Sequence, residues 1–345
     1  MSPLISTILI SSLATGTIIT ASSFHWMFAW LGLELNTLAI IPMITKQHHP
    51  RATEAATKYF LTQAAASAII LFSSTINAWQ TGTWDITQLS TPTSSILLTM
   101  ALAMKLGLAP VHFWLTEVMQ GTTMETAMII ATWQKLAPMA IIFMTTNNLT
   151  STILLTMGVL STIIGGWGGL NQTQLRKMMA YSSIAHLGWM ATISTMMTNI
   201  LAINLIIYIL MTTTMFLTLI MTKSKTIQDL SLSWSMSPMI TLLMTLTLLS
   251  LGGLPPMTGF IPKWLIIEEL TLQNLTPMAT TMAMSALLSL YFYLRLTYTS
   301  TLTMSPNSAT TKHKWRFNMK ILPSIFSTPL PIALLLLPIT PLILM

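Results

Sequence analysis

LGGLPPMTGFIPKW, residues 251–264, lies inside an apolar run covering 238–267 and cannot be one unbroken helix. Gly252, Gly253, Pro255, Pro256, Gly259 and Pro262 interrupt it, and Lys263 follows at once. Each proline withholds a backbone donor, and its ring clashes with the carbonyl four residues earlier. A helix of about 30 residues would be about 45 Å long, against a hydrocarbon core of about 30 Å. An unwound middle shortens the run to fit. Broken backbone and a charge at membrane depth are tolerated inside protein or against a water-filled cavity, not against lipid. The stretch therefore predicts a broken membrane helix with a buried amine beside the break.

The rest of the chain supports a membrane setting. Charged residues make up 7% of its 345 residues and hydrophobic ones 53%. A soluble domain carries about a quarter charged residues, so this composition excludes a water-soluble globule, and it equally excludes disorder. The absence of Cys removes disulfides, thiolate metal sites and a Cys nucleophile. Runs of about 20 apolar residues read as spans at roughly 3–22, 24–45, 56–78, 94–115, 123–146, 149–170, 174–196, 199–222, 238–267, 274–297 and 321–344. They are too long for barrel strands of about ten residues. The predicted fold is an all-α polytopic membrane protein of about eleven transmembrane helices. Ser and Thr inside the spans are tolerable because a hydroxyl can bond back to its own helix carbonyl. No basic residue precedes Lys46, so the start reads as a first span and not as a secretory or transit signal. A chain this apolar, with 29 Met and no address, suggests synthesis inside an organelle.

Eleven spans place the N-terminus on the same side as the loops after spans 2, 4, 6, 8 and 10. Those loops and their flanks carry Lys46, Arg51, Lys58, Arg176, Lys177, Lys223, Lys225, Lys312, Lys314, Arg316 and Lys320. The opposite loops carry no Lys or Arg, only Asp85. This partition predicts an N-terminus on the side of synthesis, the matrix if the organelle is a mitochondrion, and a C-terminus in the intermembrane space. The net charge of +7 is then topology, and nucleic-acid binding is not expected. Trp26, Trp79, Trp84, Trp114, Trp234, Trp264 and Trp315 lie near span ends, as interfacial anchors do.

Topology leaves four basic residues unexplained. Arg295 is near a span end and can snorkel. Lys105 in span 4, Lys135 in span 5 and Lys263 in span 9 cannot, and Glu34 is mid-span in span 2. A mid-bilayer charge costs at least about 2.5–3.5 kcal/mol on insertion scales. A Glu34–Lys ion pair that merely fixes packing is the plainer explanation. One acid cannot pair with three amines, however, and a desolvated Lys can exist in either protonation state. Such groups along a membrane interior are what a proton relay needs. Proline breaks sit beside the amines: Pro110 frees the carbonyl of Leu106 next to Lys105, and Pro138 that of Gln134 next to Lys135. His112 and His186 are further interior candidates, as relay groups or as packing residues. Glu117 and Glu125, flanking the loop after span 4, could feed or brace the path.

The broken spans are the fourth of block 1–5 and the fourth of block 6–10. Five is odd, so the second block would run inverted relative to the first, and matching breaks in two halves point to a transport path. The expected organisation is a first five-helix repeat at 1–146, a second, inverted one at 149–300, and a basic loop with a C-terminal transmembrane helix at 301–345. No nucleotide loop, haem pattern or metal-spaced His set is present.

KLGLAPVHFW (105–114) and GLPPMTGFIPKW (253–264) resemble the antiporter-like proton-pumping subunits of respiratory complex I. The resemblance covers essentially the whole chain, which looks like a shortened animal form of one family member. It implies that Glu34 pairs with Lys105 on the first broken helix, that Lys135 is the central Lys and that Lys263 is the terminal ionisable group. It further implies a mitochondrial inner-membrane location, a lipid bilayer around the chain, and other complex I membrane subunits as neighbours, further antiporter-like subunits among them. NADH, FMN, iron–sulfur clusters and ubiquinone would act elsewhere in the assembly, with no cofactor in this chain. An autonomous cation/proton antiporter and a purely structural membrane subunit remain the alternatives.

Overall fold

A computed structural model describes residues 2–301 and 329–340. Every regular element among them is helical: α1 Pro3–Ser22, α2 Trp26–Ile44, α3 Pro50–Thr81, α4 Pro92–Leu106, α5 Phe113–Gly121, α6 Met124–Ala131, α7 Trp133–Thr145, α8 Ser151–Gly169, α9 Leu175–Ile193, α10 Thr198–Thr222, α11 Ile227–Met236, α12 Pro238–Gly252, α13 Phe260–Leu272, α14 Thr276–Thr301 and α15 Pro329–Leu335. Among the described residues, seven helical stretches are long and apolar enough to cross a membrane: α1, α2, α3, the α6–α7 pair, α8, α10 and α14. α4 and α12 are shorter apolar helices, each the first half of a broken span. The basic segment with Lys312, Lys314, Arg316 and Lys320, together with Trp315 and most of the run 321–344, lies outside the described residues.

Local chemistry sets the ends of these helices. Ser2 caps α1 ahead of Pro3, and the His49 ring caps α3 ahead of Pro50. Gly82 ends α3 in the left-handed conformation at φ 73°. Hydroxyls inside the spans bond back to carbonyls three or four residues earlier, as in Thr99 to Ile96 (2.8 Å) and Ser182 to Met179 (2.7 Å). This is how a Thr- and Ser-rich chain satisfies its buried polar groups.

The chain forms two compact units, one of Met1–Ser161 with Met190–Thr198, the other of Thr162–Trp189 with the residues from Asn199 on. In the first, the turns before α2 and after α3 meet: Trp26 N–H bonds the Trp84 carbonyl (3.1 Å) and Ile86 N–H that of Phe24 (3.0 Å). Asn148, after α7, joins this end through the Thr87 carbonyl (2.7 Å). At the other end Lys58 reaches Glu117 at 2.5 Å and Lys46 reaches Glu125 at 3.9 Å. Glu117 and Glu125 thus brace basic residues at the surface. In the second unit the turns before α9 and α11 pair through Gln174 and Thr226, and Arg295 of α14 donates to the Leu170 carbonyl at 2.6 Å.

Burial separates two classes of basic residue. The described loop cations are exposed or half-buried, whereas Lys105, Lys135 and Lys263 are 4%, 2% and 9% exposed. The aromatic pattern needs correction. Trp79 and Trp264 are exposed, as anchors should be, but Trp26 and Trp114 are buried inside the first unit.

Candidate functional site

α4 stops at Leu106 because Gly107 turns left-handed at φ 79°. The Gly107 and Leu108 N–H groups both bond the Ala103 carbonyl at 2.9 Å, closing the helix. Pro110 withholds the donor that would have reached Leu106, so that carbonyl is free for a side chain. Lys135 takes it: its Nζ donates to the Leu106 carbonyl at 2.7 Å. The same amine lies 5.4 Å from the centroid of the Trp114 ring, within cation–π range. Trp114 is fixed in turn, its indole N–H donating to the Met104 carbonyl at 3.1 Å. Adjacency in sequence had put the free carbonyl beside Lys105. Helical side chains lean toward their own N-terminus, away from a C-terminal break, and a long arm from the next span fills the place.

Lys135 stands in the first turn of α7, just after an interruption at Thr132 (φ −112°, ψ −68°). Pro138 is inside α7. Lys105 is different. Among the described residues its Nζ has no hydrogen-bond partner, and neither has Glu34 Oε2. No ion pair within 4 Å joins Glu34 to Lys105. The two amines share a cavity of about 10 Å³ lined also by Asn36, Tyr59, Gln63, Trp114 and Gln134. Tyr59 donates to Gln134 Oε1 at 3.4 Å, and Gln134 Nε2 to the Asn36 carbonyl at 3.3 Å.

The second unit repeats the break. α12 ends at Gly252, Gly253 is left-handed at φ 76°, and Pro256 stands four residues after Gly252 as Pro110 does after Leu106. Lys263 Nζ donates to the freed Gly252 carbonyl at 2.7 Å. Here the donor comes from α13, the downstream half of the same broken span. Its tail packs on Gly253, where a Cβ would lie 2.9 Å from both Cδ and Nζ. The His186 ring lies 5.7 Å from that of Tyr208. His112 is 3% exposed at the start of α5, its ring 4.3 Å from Phe113. The structure brings Lys105 and Lys135 to one cavity, and places Lys263 at the second break and His186 beside Tyr208. Sequence reasoning missed Trp114, Asn36 and Gln63. Trp114 was legible only as a span-end aromatic, and the amides carried no signal.

Among the described residues no group of three or more His, Cys, Asp or Glu could hold a metal ion.

The profile described as NADH:quinone oxidoreductase/Mrp antiporter, TM, matches residues 23–289, and that of the NADH dehydrogenase subunit 2 C-terminus matches 290–344. The NADH-ubiquinone oxidoreductase chain 2 of Varanus baritji is 60% identical over 343 residues, covering 99% of each chain. That of Xenopus laevis is 56% identical over 342 residues, again covering 99% of each. A chain of respiratory complex I from Thermus thermophilus superposes with a TM-score of 0.81 at 26% identity, over 96% of this chain and 78% of that one. With both sequence motifs, both helix breaks and the full-length likeness in agreement, the chain belongs to the NADH-ubiquinone oxidoreductase chain 2 family of antiporter-like membrane subunits.

Proposed function

We propose that this chain is a core membrane subunit of respiratory complex I that translocates protons across the mitochondrial inner membrane. NADH oxidation and ubiquinone reduction take place in other subunits of that assembly, where its cofactors reside. The observation that carries the reading is the matched pair of helix breaks, each offering a backbone carbonyl to a buried Lys amine at 2.7 Å. A carbonyl stabilises an ammonium without binding it as a carboxylate would, so the amine can hold a proton and later give it up. In the first unit Lys135 and Lys105 are the exchanging groups and Glu34 sets the charge that Lys105 experiences. In the second, Lys263 is the exchanging group with His186 nearby, and His112 is a further candidate beside the first break.

The same reading takes the fold as eleven transmembrane helices in two inverted five-helix repeats with a final helix, in an inner-membrane bilayer among other complex I membrane subunits. Support comes from the recurrence of Leu106–Gly107…Pro110 as Gly252–Gly253…Pro256, and from even-numbered loops meeting even-numbered loops within each unit. The N-terminus then faces the matrix and the C-terminus the intermembrane space. The match of residues 290–344 to a subunit 2 profile favours a complex subunit over a free-standing antiporter.

The test is purification of the chain from membranes, followed by NADH-driven proton uptake in sealed vesicles. Recovery within a large NADH-oxidising assembly whose proton uptake stops in Lys105→Met is the expected result. Recovery alone, or normal uptake in that variant, would overturn the reading.

A further inference from the structure

Thr258, in the turn that follows the second break, is buried at 1% exposure. Hydroxyls in this chain commonly bond back to a carbonyl of their own helix, as Ser250 does to Thr247 at 2.7 Å. Thr258 lies between α12 and α13, and its hydroxyl donates instead to the Ala333 carbonyl of α15. Ala333 is equally buried. It stands in the last turn of α15, where carbonyls lack a helical donor, and Pro338 does not continue the helix. Breaking this bond would strand a buried acceptor. The hydroxyl sits at the foot of the helix that carries Lys263. The Thr258 carbonyl accepts the Ile261 N–H at 3.1 Å, which opens α13. Gly259, the N-cap of α13, makes no side-chain cap, and it lies so close to the Ser250 carbonyl of α12 that no Cβ fits between them. Lys263 follows and reaches back to the Gly252 carbonyl at 2.7 Å. A Lys stem is flexible, so the place of its amine depends on where its helix starts. The first break is held differently. His112 stands six residues after Leu106, as Thr258 does after Gly252, and its Nδ1 is buried without a partner among the described residues.

We propose that Thr258 is a positioning residue for Lys263, and that the C-terminal helix α15 acts on the second break through it. The proposal rests on the relay reading given above, in which Lys263 exchanges protons. Thr258 carries none of those protons; it acts by fixing where the arm of Lys263 begins. α13 has little of its own to hold its start. Gly259 offers no capping side chain, and Pro255, Pro256 and Pro262 withhold backbone donors. The Thr258 hydroxyl supplies the missing anchor by tying the entry of α13 to α15, and α15 packs on α12. α12 carries the Gly252 carbonyl and α13 carries the amine, so the frame closed by α15 keeps donor and acceptor in register.

The test uses the intact complex in membranes. Thr258→Val keeps the branched shape and removes the hydroxyl, whereas Thr258→Ser keeps the hydroxyl. Thr258→Val is expected to assemble and to lower proton-coupled turnover about tenfold, at unchanged KM for NADH and ubiquinone. Its structure is expected to show Lys263 Nζ beyond hydrogen-bond distance of the Gly252 carbonyl. Thr258→Ser is expected to restore both the turnover and the contact. Normal turnover in Thr258→Val, with Lys263→Met inactive, overturns the proposal alone. So does a Lys263 amine that stays on the Gly252 carbonyl in Thr258→Val, or an equal loss of turnover in Thr258→Ser. Failure of Thr258→Val to assemble makes the hydroxyl a folding contact and overturns the proposal as well. Normal turnover in Lys263→Met overturns the relay reading at that residue.

Discussion

Lys135 and Leu106 belong to different spans, yet the amine of one donates to the carbonyl of the other at 2.7 Å. The contact exists because Gly107 and Pro110 leave that carbonyl without its helical donor. It ties Lys135 to the first break and holds it over Trp114. Lys263 and Gly252 form the corresponding contact within a single span. One backbone device thus receives its amine from two different places in the chain.

Lys135→Met keeps length and apolar bulk but cannot hold a proton. The complex should still assemble, because losing one buried acceptor's partner costs about 1–3 kcal/mol. Proton-coupled turnover should fall by roughly a hundredfold. Lys135→Arg should also impair it, since a guanidinium hardly releases its proton. Vesicle proton uptake and a separate assembly assay decide the matter; an assembled Met variant pumping at the normal rate removes Lys135 from the path.

Gly253→Ala and Gly107→Ala each force an L-residue into a left-handed conformation, at about 1–2 kcal/mol. Their consequences should differ. At 253 the added methyl meets Lys263 Nζ at 2.9 Å, whereas at 107 it meets the Trp114 ring at 3.4 Å, an ordinary contact. Turnover should therefore fall further in Gly253→Ala at similar loss of thermal stability. Equal losses of turnover would mean that displacement of the Lys263 amine does not matter.

Glu34 and Lys105 should be coupled although no ion pair joins them. Glu34→Gln removes the carboxyl proposed to set the charge that Lys105 experiences, and it should slow pumping less than Lys105→Met does. A double-mutant cycle on turnover should give a coupling of about 0.5 kcal/mol or more. Strict additivity would assign Glu34 to a different partner.

Cysteines introduced at positions 46 and 312 should be labelled from the matrix side and one at position 85 from the opposite side. The basis is the partition of Lys and Arg among the loops. Labelling of 85 and 312 from one side contradicts the proposed orientation.

Asp229 gives a pH dependence at the start of α11. Burial pushes its carboxyl up, but N–H groups of Lys225 and Thr226, at 2.9 and 2.8 Å, together with the Thr226 side chain, hold it net below the usual range. A depressed folded value means that the cap contributes fully above the unfolded value of about 3.9 and is lost as pH falls through the lower folded one. Amide exchange at residues 227–230, corrected for intrinsic rate, should stay protected at pH 5 and rise as pH falls below the unfolded value of about 3.9. Asp229→Asn should weaken the cap by about 1 kcal/mol at neutral pH. Unchanged protection in that variant would show that the Asp229 contacts to Lys225 and Thr226 are not what holds this turn.

The sequence by itself determined the helical membrane class, because composition and run length admit no other way to satisfy the backbone in lipid. It also determined where spans 4 and 9 break and which amines are buried, because Pro, Gly and Lys act through their own covalent structure and charge. It could not determine which amine meets which carbonyl. Lys105 is next to Leu106 in the chain, but Lys135, from the following span, makes the bond, and Lys263 reaches back across its own break. Nor could it reveal that Trp26 and Trp114 are interior, that the chain is interrupted at Thr132, or that Asn36 and Gln63 border the cavity. Those outcomes depend on which helix faces pack together and how far each side chain extends from them. They are therefore decided by residues distant in sequence, and only the tertiary structure brings those residues together.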